Sequence, residues 1–248
     1  MKRIIIIATA FVSCSILAGL LYFFLFAAPQ PIWNPAANAE IIRLGFSGET
    51  DSNYIADVRL WGNGRIVWVE YDSAGNRQVF EGYLSKEEMR DLISQFINAG
   101  FFEGNKFFDE IVFGSYMSIK LLNADYSVPV LDGTFQNGKR EQNHKLDSLV
   151  GFLKSGAGAE RTEVIPSIGT LVVYKREETS WHNVEAIATY EWPDDKFGYG
   201  LASVQDNAIE IRGEELAFAW EIVNTPVPLV ESQGEIYLIT VIVPKISY

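Results

Sequence analysis

Histidine is the side chain whose ordinary pKa suits proton transfer near neutral pH, and this chain of 248 residues has two, His144 and His182. His144 stands between Asn143 and Lys145, a setting typical of a solvated helix end. His182 lies three residues before Glu185, so the two could act as a base and its orienting carboxylate. No serine or cysteine of the nucleophile-elbow type accompanies them, and the sequence therefore predicts no catalytic residue.

The sequence lacks the common motifs for nucleophiles, phosphates and metals. It contains no Gly-x-Ser-x-Gly, no Ser-x-x-Lys and no glycine-rich loop ending in Gly-Lys-Ser/Thr. Its two histidines are 38 positions apart and its single cysteine is Cys14, which gives no recognisable metal-ligand spacing. We therefore expect neither a cofactor nor a metal.

Adjacent carboxylates are the remaining candidates for acid–base chemistry. Asp194-Asp195 and Glu214-Glu215 could support glycoside hydrolysis, although such pairs arise by chance among 32 acidic residues. A carboxylate-dependent hydrolase acting on cell wall or carbohydrate is the alternative function. It predicts an acidic pair facing a cleft beside the loop 192–199.

Aromatic residues in two loops could stack on sugars or hold a peptide. One loop pairs phenylalanines on either side of Glu-Gly-Asn-Lys, and the other runs from Trp192 to Gly200. The interpretation we favour is that these rings fill the ends of a sheet. As possible binding aromatics we name Phe101, Phe102, Phe107, Phe108, Trp192, Phe197 and Tyr199.

An apolar run at residues 4–28 determines on which side of a membrane any such site would lie. It holds no charged side chain and follows Lys2 and Arg3. Its 25 residues would reach about 37 Å as a helix, against a hydrocarbon core of roughly 30 Å. The sequence predicts a single-pass signal-anchor, with residues 1–3 in the cytoplasm and the C-terminal domain outside the cell membrane.

Two alternatives remain for this segment. A signal peptide could be cleaved after Ala39, but its apolar region is usually only about 7–15 residues long. Lipidation at Cys14 would leave the apolar residues 16–28 attached to the mature chain. An uncleaved anchor in the lipid bilayer is the interpretation we favour.

Charge and cysteine content restrict the partners of the outer part. Without Lys2 and Arg3, 18 basic residues face 32 acidic ones, which gives a net charge of about −14. This argues against nucleic acid and against anionic lipid headgroups. Since the only cysteine lies in the apolar run, the outer domain must be stabilised by its core.

The outer part is predicted to be α+β, with antiparallel sheet and about three packed helices. Residues 29–40 form a proline-containing stalk, and residues 41–157 a β-meander with two helices. Glycine turns at 62–64 and 72–76 separate strands, and Ser85-Lys-Glu-Glu88 is a capping box.

Residues 158–248 are predicted to form a second α+β subdomain or to continue the first. Residues 216–223 are spaced as a helix, and residues 235–243 are apolar on both faces, which is typical of a central strand. Pro129 predicts an edge strand because proline cannot donate to a ladder.

Three segments resemble parts of uncharacterised bacterial envelope proteins that pair glycine-turn hairpins with a capped helix. They are Arg59-Leu-Trp-Gly-Asn-Gly-Arg-Ile-Val-Trp68, Leu84-Ser-Lys-Glu-Glu88 and Ala99-Gly-Phe-Phe102. The resemblance covers residues 50–105 and implies a bacterial, extracytoplasmic origin without an activity. Together these features predict a non-enzymatic binding or envelope-assembly module with a protein or glycan partner and no nucleic acid.

Overall fold

The computed structural model describes residues 31–47, 56–103, 114–122, 124–131, 134–135, 140–175, 189–205, 207–226, 228–244 and 246. The chain divides into Met1–Pro31 and Ile32–Tyr248, and the account below concerns the second unit. The predicted membrane helix, Phe107, Phe108 and His182 lie outside the described residues. Within the described part, no helix is long and apolar enough to cross a bilayer.

Eight strands form the larger of two sheets in an α+β fold. They are β1 (Glu40–Ser47), β2 (Val58–Trp61), β3 (Arg65–Tyr71), β4 (Arg77–Tyr83), β5 (Gly114–Leu121), β6 (Ala124–Leu131), β7 (Thr134–Phe135) and β8 (Thr162–Glu163). Their order is β7-β6-β5-β1-β2-β3-β4-β8, and neighbouring strands are antiparallel. The predicted meander is therefore confirmed as β2-β3-β4.

The smaller sheet has five strands. They are β9 (Gly169–Lys175), β10 (Tyr190–Glu191), β11 (Ala208–Ile211), β12 (Leu229–Ser232) and β13 (Glu235–Ile242), in the order β10-β12-β13-β9-β11. Only the two-residue pairing of β10 with β12 is parallel among the pairings described. The central position predicted for the apolar run at 235–243 is confirmed, because β13 has neighbours on both sides.

Four α-helices accompany the sheets in the described part: α1 (Lys86–Asn98), α2 (Arg140–Lys154), α3 (Asp194–Phe197) and α4 (Gly213–Val223). At the start of α1 the predicted capping box is present. Ser85 Oγ accepts from the Glu88 amide at 3.2 Å, and Glu88 Oε2 accepts from the Ser85 amide at 2.7 Å. After α1, Gly100 takes φ +81°, the left-handed conformation expected where a helix stops.

The strand that contains Pro129 is not an outermost strand, contrary to the prediction. Strand β6 pairs with β5 along its length, and Pro129 lies opposite Tyr116 there. On its other side β6 pairs with the short β7 at Val130 and Leu131 only. The missing proline N–H is tolerated because β7 does not reach Pro129.

Strands β2, β3 and β4 supply two hydrophobic cores from their opposite faces. The first core includes Trp33, Leu60, Trp68, Phe80, Phe96 and Phe101, and it is covered by α1 and α2. The second core includes Trp61, Val67, Val79, Leu171, Trp192, Leu216 and Ile239, which join the same strands to the smaller sheet and α4. Successive side chains of a strand point to opposite faces, so strands covered on both sides are buried throughout, as β2 is.

Arg59 connects these two parts of the fold. Its Nε bonds the Glu40 carboxylate at 2.5 Å, and its Nη1 donates to the Ile246 carbonyl oxygen at 3.1 Å. The residue is only 7% exposed, and its guanidinium lies over the Trp61 ring. A buried cation thus has an anion, a carbonyl and an aromatic face around it.

Candidate functional site

An open groove lies where the edge of β4, the segment Glu163–Ser167 and helix α4 meet. We call it the inter-sheet groove, and its volume is about 750 Å³. That volume falls within the range of clefts that bind small ligands, roughly 300–1,000 Å³. Its lining residues are Asp72, Asn76, Arg77, Gln78, Val79, Glu163, Val164, Ile165, Pro166, Ser167, Tyr190, Gly213, Ala217, Trp220, Glu221, Asn224 and Thr225.

The turn between β3 and β4 forms one end of the groove and is held by Asp72. One carboxylate oxygen of Asp72 accepts from the amides of Ala74 at 2.8 Å and Asn76 at 2.9 Å. The other accepts from Asn76 Nδ2 at 2.9 Å. These hydrogen bonds lower the pKa of the Asp72 carboxyl, those from Asn76 most. The turn is therefore fixed by Asp72, whose two carboxylate oxygens are already hydrogen-bonded within it.

Arg77 joins the beginning of β4 to the end of α4. Its amide donates to the Asn224 carbonyl oxygen at 2.7 Å, and its guanidinium donates to the Val223 carbonyl oxygen. Carbonyls at a helix C-terminus lack intrahelical donors, and a cation placed there also complements the helix dipole. The position of α4 against β4, and with it the width of the groove, depends on this arginine.

Asn224 has a buried side-chain oxygen with unused hydrogen-bonding capacity. The residue lines the groove and is 8% exposed. Its Nδ2 donates to the Trp220 carbonyl oxygen at 2.9 Å, which fixes the orientation of the amide because the reverse orientation would oppose two oxygens. Its Oδ1 has no partner among the described residues. An unpartnered buried acceptor costs about 1–3 kcal/mol, and this oxygen has almost no accessible surface that a ligand in the open groove could reach.

The groove carries more negative than positive charge. Asp72, Glu163 and Glu221 line it, and among the described residues Arg77 is the one cation of the lining. Glu163 and Glu221 form no ion pair with any residue of the described part. Both are exposed, so their charges remain available to a ligand.

A smaller opening of about 320 Å³ shares the segment Glu163–Ser167 with the inter-sheet groove. Within it, Arg65 donates to Glu81 Oε2 from Nε at 2.9 Å and from Nη2 at 2.7 Å. The shared segment separates the two openings, and its Ile165 is 82% exposed. The larger opening has the unpaired acids, and the smaller has a cation that is already paired.

A third groove, of about 650 Å³, lies between α1 and α2. His144 and Lys145 line it together with the apolar Leu149 and Phe152. His144 is exposed, as predicted, but it lies inside α2, which begins at Arg140, and not at the end of a helix. The described residues show no carboxylate in the lining of this groove, and they offer no arrangement for proton transfer there.

The five predicted binding aromatics that the structure describes lie in the cores or pack against them, and none of the five lines the inter-sheet groove. Phe101 is 1% exposed and packs edge-on against Phe96, with centroids 5.8 Å apart, while Phe102 packs against the same core. Trp192 is 2% exposed, and its ring is 5.2 Å from Phe197. Tyr199 lies 6.0 Å from the same indole and is partly buried against the second core.

Three carboxylates near the loop 192–199 have partners, whereas the exposed Asp195 has none among the described residues. Asp194 accepts from Ser232 Oγ at 2.7 Å, and Glu215 accepts from the Tyr199 hydroxyl. Burial, and then the bond to Glu215, raise the pKa of Tyr199 above its usual value. The Lys196 ammonium lies 2.8 Å from Glu214 and lowers the pKa of that carboxyl. The arrangement is that of structural contacts holding α3 and α4.

Sequence reasoning did not identify Glu163, Trp220 or Asn224. Asn224 stands two residues before Pro226 and indicates only a helix end. Trp220 fits the apolar spacing of α4, and Glu163 is one of many acids. No local signal in the sequence indicates that these three come together.

The described residues contain no group of three or more His, Cys, Asp and Glu side chains that could hold a metal ion. No protein-family model, curated protein or solved structure matches the chain. The site must therefore be interpreted from its own geometry.

Proposed function

We propose that this protein is a membrane-anchored, extracytoplasmic binding module that acts without catalysis and takes its partner in the inter-sheet groove. The apolar run at residues 4–28, preceded by Lys2 and Arg3, supports the anchor and its orientation. The observation that carries the binding role is an open groove of about 750 Å³ whose lining combines the exposed Glu163 and Glu221 with the half-buried rings of Tyr190 and Trp220.

Placement in the membrane is tested by fractionation and protease access. The full-length chain, carrying a C-terminal tag, should sediment with membranes and resist extraction by salt and alkali. Protease added to spheroplasts should remove the tag without lysis. Release of the protein by alkali, or protection of the tag until lysis, would contradict the anchored, outward orientation.

The binding role is tested by filling the groove. Ala217 is exposed on α4 and lines the groove, so Ala217→Trp should occupy it without disturbing either core. Ala202 is equally exposed but does not line the groove, and Ala202→Trp is the matched control.

After crosslinking in intact membranes, the same partner should copurify with the wild type and with Ala202→Trp, and it should be lost with Ala217→Trp. Recovery of all three proteins alone would count against a partner role. Retention of the partner by Ala217→Trp would place the binding surface elsewhere.

A further inference from the structure

We propose that the inter-sheet groove is selective for a ligand that bears an alkylammonium or guanidinium cation, such as a lysine or arginine side chain on a peptide. This inference rests on the proposed binding function and adds the chemical class of the ligand. It follows from the charge and the aromatic rings of the groove.

The charge of the lining favours a cation. Three carboxylates face one guanidinium, and that guanidinium is engaged with the carbonyl oxygen at the end of α4. Asp72 is committed to its own turn, whereas Glu163 and Glu221 have no ion-pair partner in the described part of the chain. An anionic ligand would meet these two charges without compensation. A cationic ligand would neutralise them.

The field of the whole molecule has the same sign. The chain has a formal net charge of −12 at pH 7. A negative molecule with a negative cleft attracts cations and accelerates their association, with a strong dependence on ionic strength. Local and long-range electrostatics therefore select the same class of ligand.

Aromatic rings in the lining suit an organic cation better than a metal ion. Trp220 and Tyr190 are half-buried and line the groove beside the acids. An alkylammonium or guanidinium group over such a ring gains about 0.5–2 kcal/mol, and indole is the best of the aromatic faces. The aliphatic stem of lysine or arginine can pack on the same rings.

The test uses the full-length protein in detergent and isothermal titration calorimetry. Three probes are compared: acetyl-Ala-Lys-Ala-Lys-Ala-amide, the same peptide with both lysines acetylated, and spermidine. We expect saturable binding of the lysine peptide with one site per chain, loss of binding on acetylation, and weakening when salt rises from about 0.05 to 0.5 M.

Either cationic probe can support the inference. Binding of the peptide identifies a basic peptide as the source of the cation, and binding of spermidine alone identifies a free amine. Equal binding of the acetylated and unmodified peptides overturns the inference. So does a result in which none of the three probes binds saturably.

Matched variants connect the binding to the groove. Glu163→Gln combined with Glu221→Gln should weaken the binding of the lysine peptide by at least about fivefold, since each exposed pair contributes a modest amount. Glu87→Gln combined with Glu231→Gln changes the net charge equally, at exposed positions that line none of the grooves described. This control should change affinity by less than about twofold. An equal loss in both double variants would mean general attraction to an acidic protein, and it would overturn a specific site.

The two proposals can fail separately. If Ala217→Trp abolishes partner capture while no cationic probe binds, the binding module remains and the ligand class is wrong. If the cationic probes bind as expected but no partner depends on the groove, the ligand class is supported and the role in assembly fails.

Discussion

The two cores share strands β2 to β4, but their buried indoles differ. In the first core the indole N–H of Trp33 donates to the Gly62 carbonyl oxygen, and that of Trp68 to Glu70, both at 3.1 Å. In the second core Trp192 is 2% exposed, and its Nε1 has no partner among the described residues. Buried polar groups are normally paired, and an unpartnered one is also found beside the first core, where Asn143 Oδ1 on α2 has no partner among the described residues.

Two more unpartnered atoms lie in the same region as Trp192. They are Asn224 Oδ1 beside α4 and Thr240 Oγ1 on the central strand β13, and Thr240 is fully buried. Unused capacity of this kind reduces stability and is retained where a ligand or a function compensates for it. We infer that the first core is the scaffold, because the strands that it shares with the second core support both parts.

The largest expected effect tests whether the scaffold supports both parts. Phe96→Ala in the first core should lower the free energy of unfolding by about 3–5 kcal/mol. Because β2 and β3 contribute to both cores, denaturant should unfold both in one transition, observed by circular dichroism and by hydrogen exchange in peptides from each sheet. Phe152→Ala is the control, since Phe152 is 42% exposed. Two separate transitions would show that the parts are independent.

Arg59 should have the next largest effect because it links the two parts. Arg59→Ala leaves Glu40 partly buried without its cation and releases the Ile246 carbonyl, so we expect a loss of about 3 kcal/mol in urea unfolding. Arg212→Ala removes a surface pair with Glu210 whose side chains are 65% and 57% exposed, and it should cost less than about 1 kcal/mol. Equal effects of the two substitutions would refute the bridging role.

The capping box of α1 belongs to the scaffold and should have a moderate effect. Ser85→Ala removes the acceptor of the Glu88 amide and should cost about 1 kcal/mol in thermal or denaturant unfolding. Ser148 is an exposed serine within α2 whose hydroxyl donates to the His144 carbonyl oxygen, and Ser148→Ala is the control. Its stability should remain within about 0.5 kcal/mol of the wild type.

The same capping box predicts the sign of a pH dependence. Hydrogen bonds from Ser85, the backbone one first, lower the pKa of Glu88 from its ordinary value of 4.5. A group with a lowered folded pKa stabilises the protein above its unfolded pKa and loses that contribution as the pH falls through the folded value. The wild type should therefore exceed Glu88→Gln in stability at about pH 6, and the difference should shrink on acidification below about pH 4. A difference that is constant over this range would contradict the assignment.

Local signals explain why the scaffold could be predicted from the sequence. The capping box from Ser85 to Glu88, the helix stop at Gly100 and the glycine turn at Gly64 each depend on a few adjacent residues. The central position of β13 could also be predicted, because most of its residues are apolar. The full coverage that this pattern suggested is not observed: Tyr237, Ile239 and Val241 lie in the second core, whereas Ile236, Leu238 and Ile242 on the other face are only half-buried.

The inter-sheet groove could not be predicted because distant contacts create it. Arg77 is bonded to Val223, 146 positions away, and β8 joins β4 by placing Glu163 opposite Phe80. Periodicity reports on one element at a time and says nothing about which distant elements meet. The aromatic rings of the loop 192–199 gave the stronger sequence signal. Their burial against the second core could be established only once α4 had been placed.

Two glycines with open space around them give the smallest effects and should change stability in opposite directions. Gly151 lies inside α2 and Gly198 follows α3, and a Cβ at either position would meet no heavy atom of the described residues within 4 Å. Gly151→Ala should stabilise the protein by about 0.5–1 kcal/mol, because alanine restricts the unfolded chain and favours helix. Gly198 has φ +81°, so Gly198→Ala should destabilise by about 1 kcal/mol through backbone strain alone. Unfolding midpoints of the two variants measure the difference. Changes of the same sign would mean that space, and not the backbone conformation, decides the outcome at these positions.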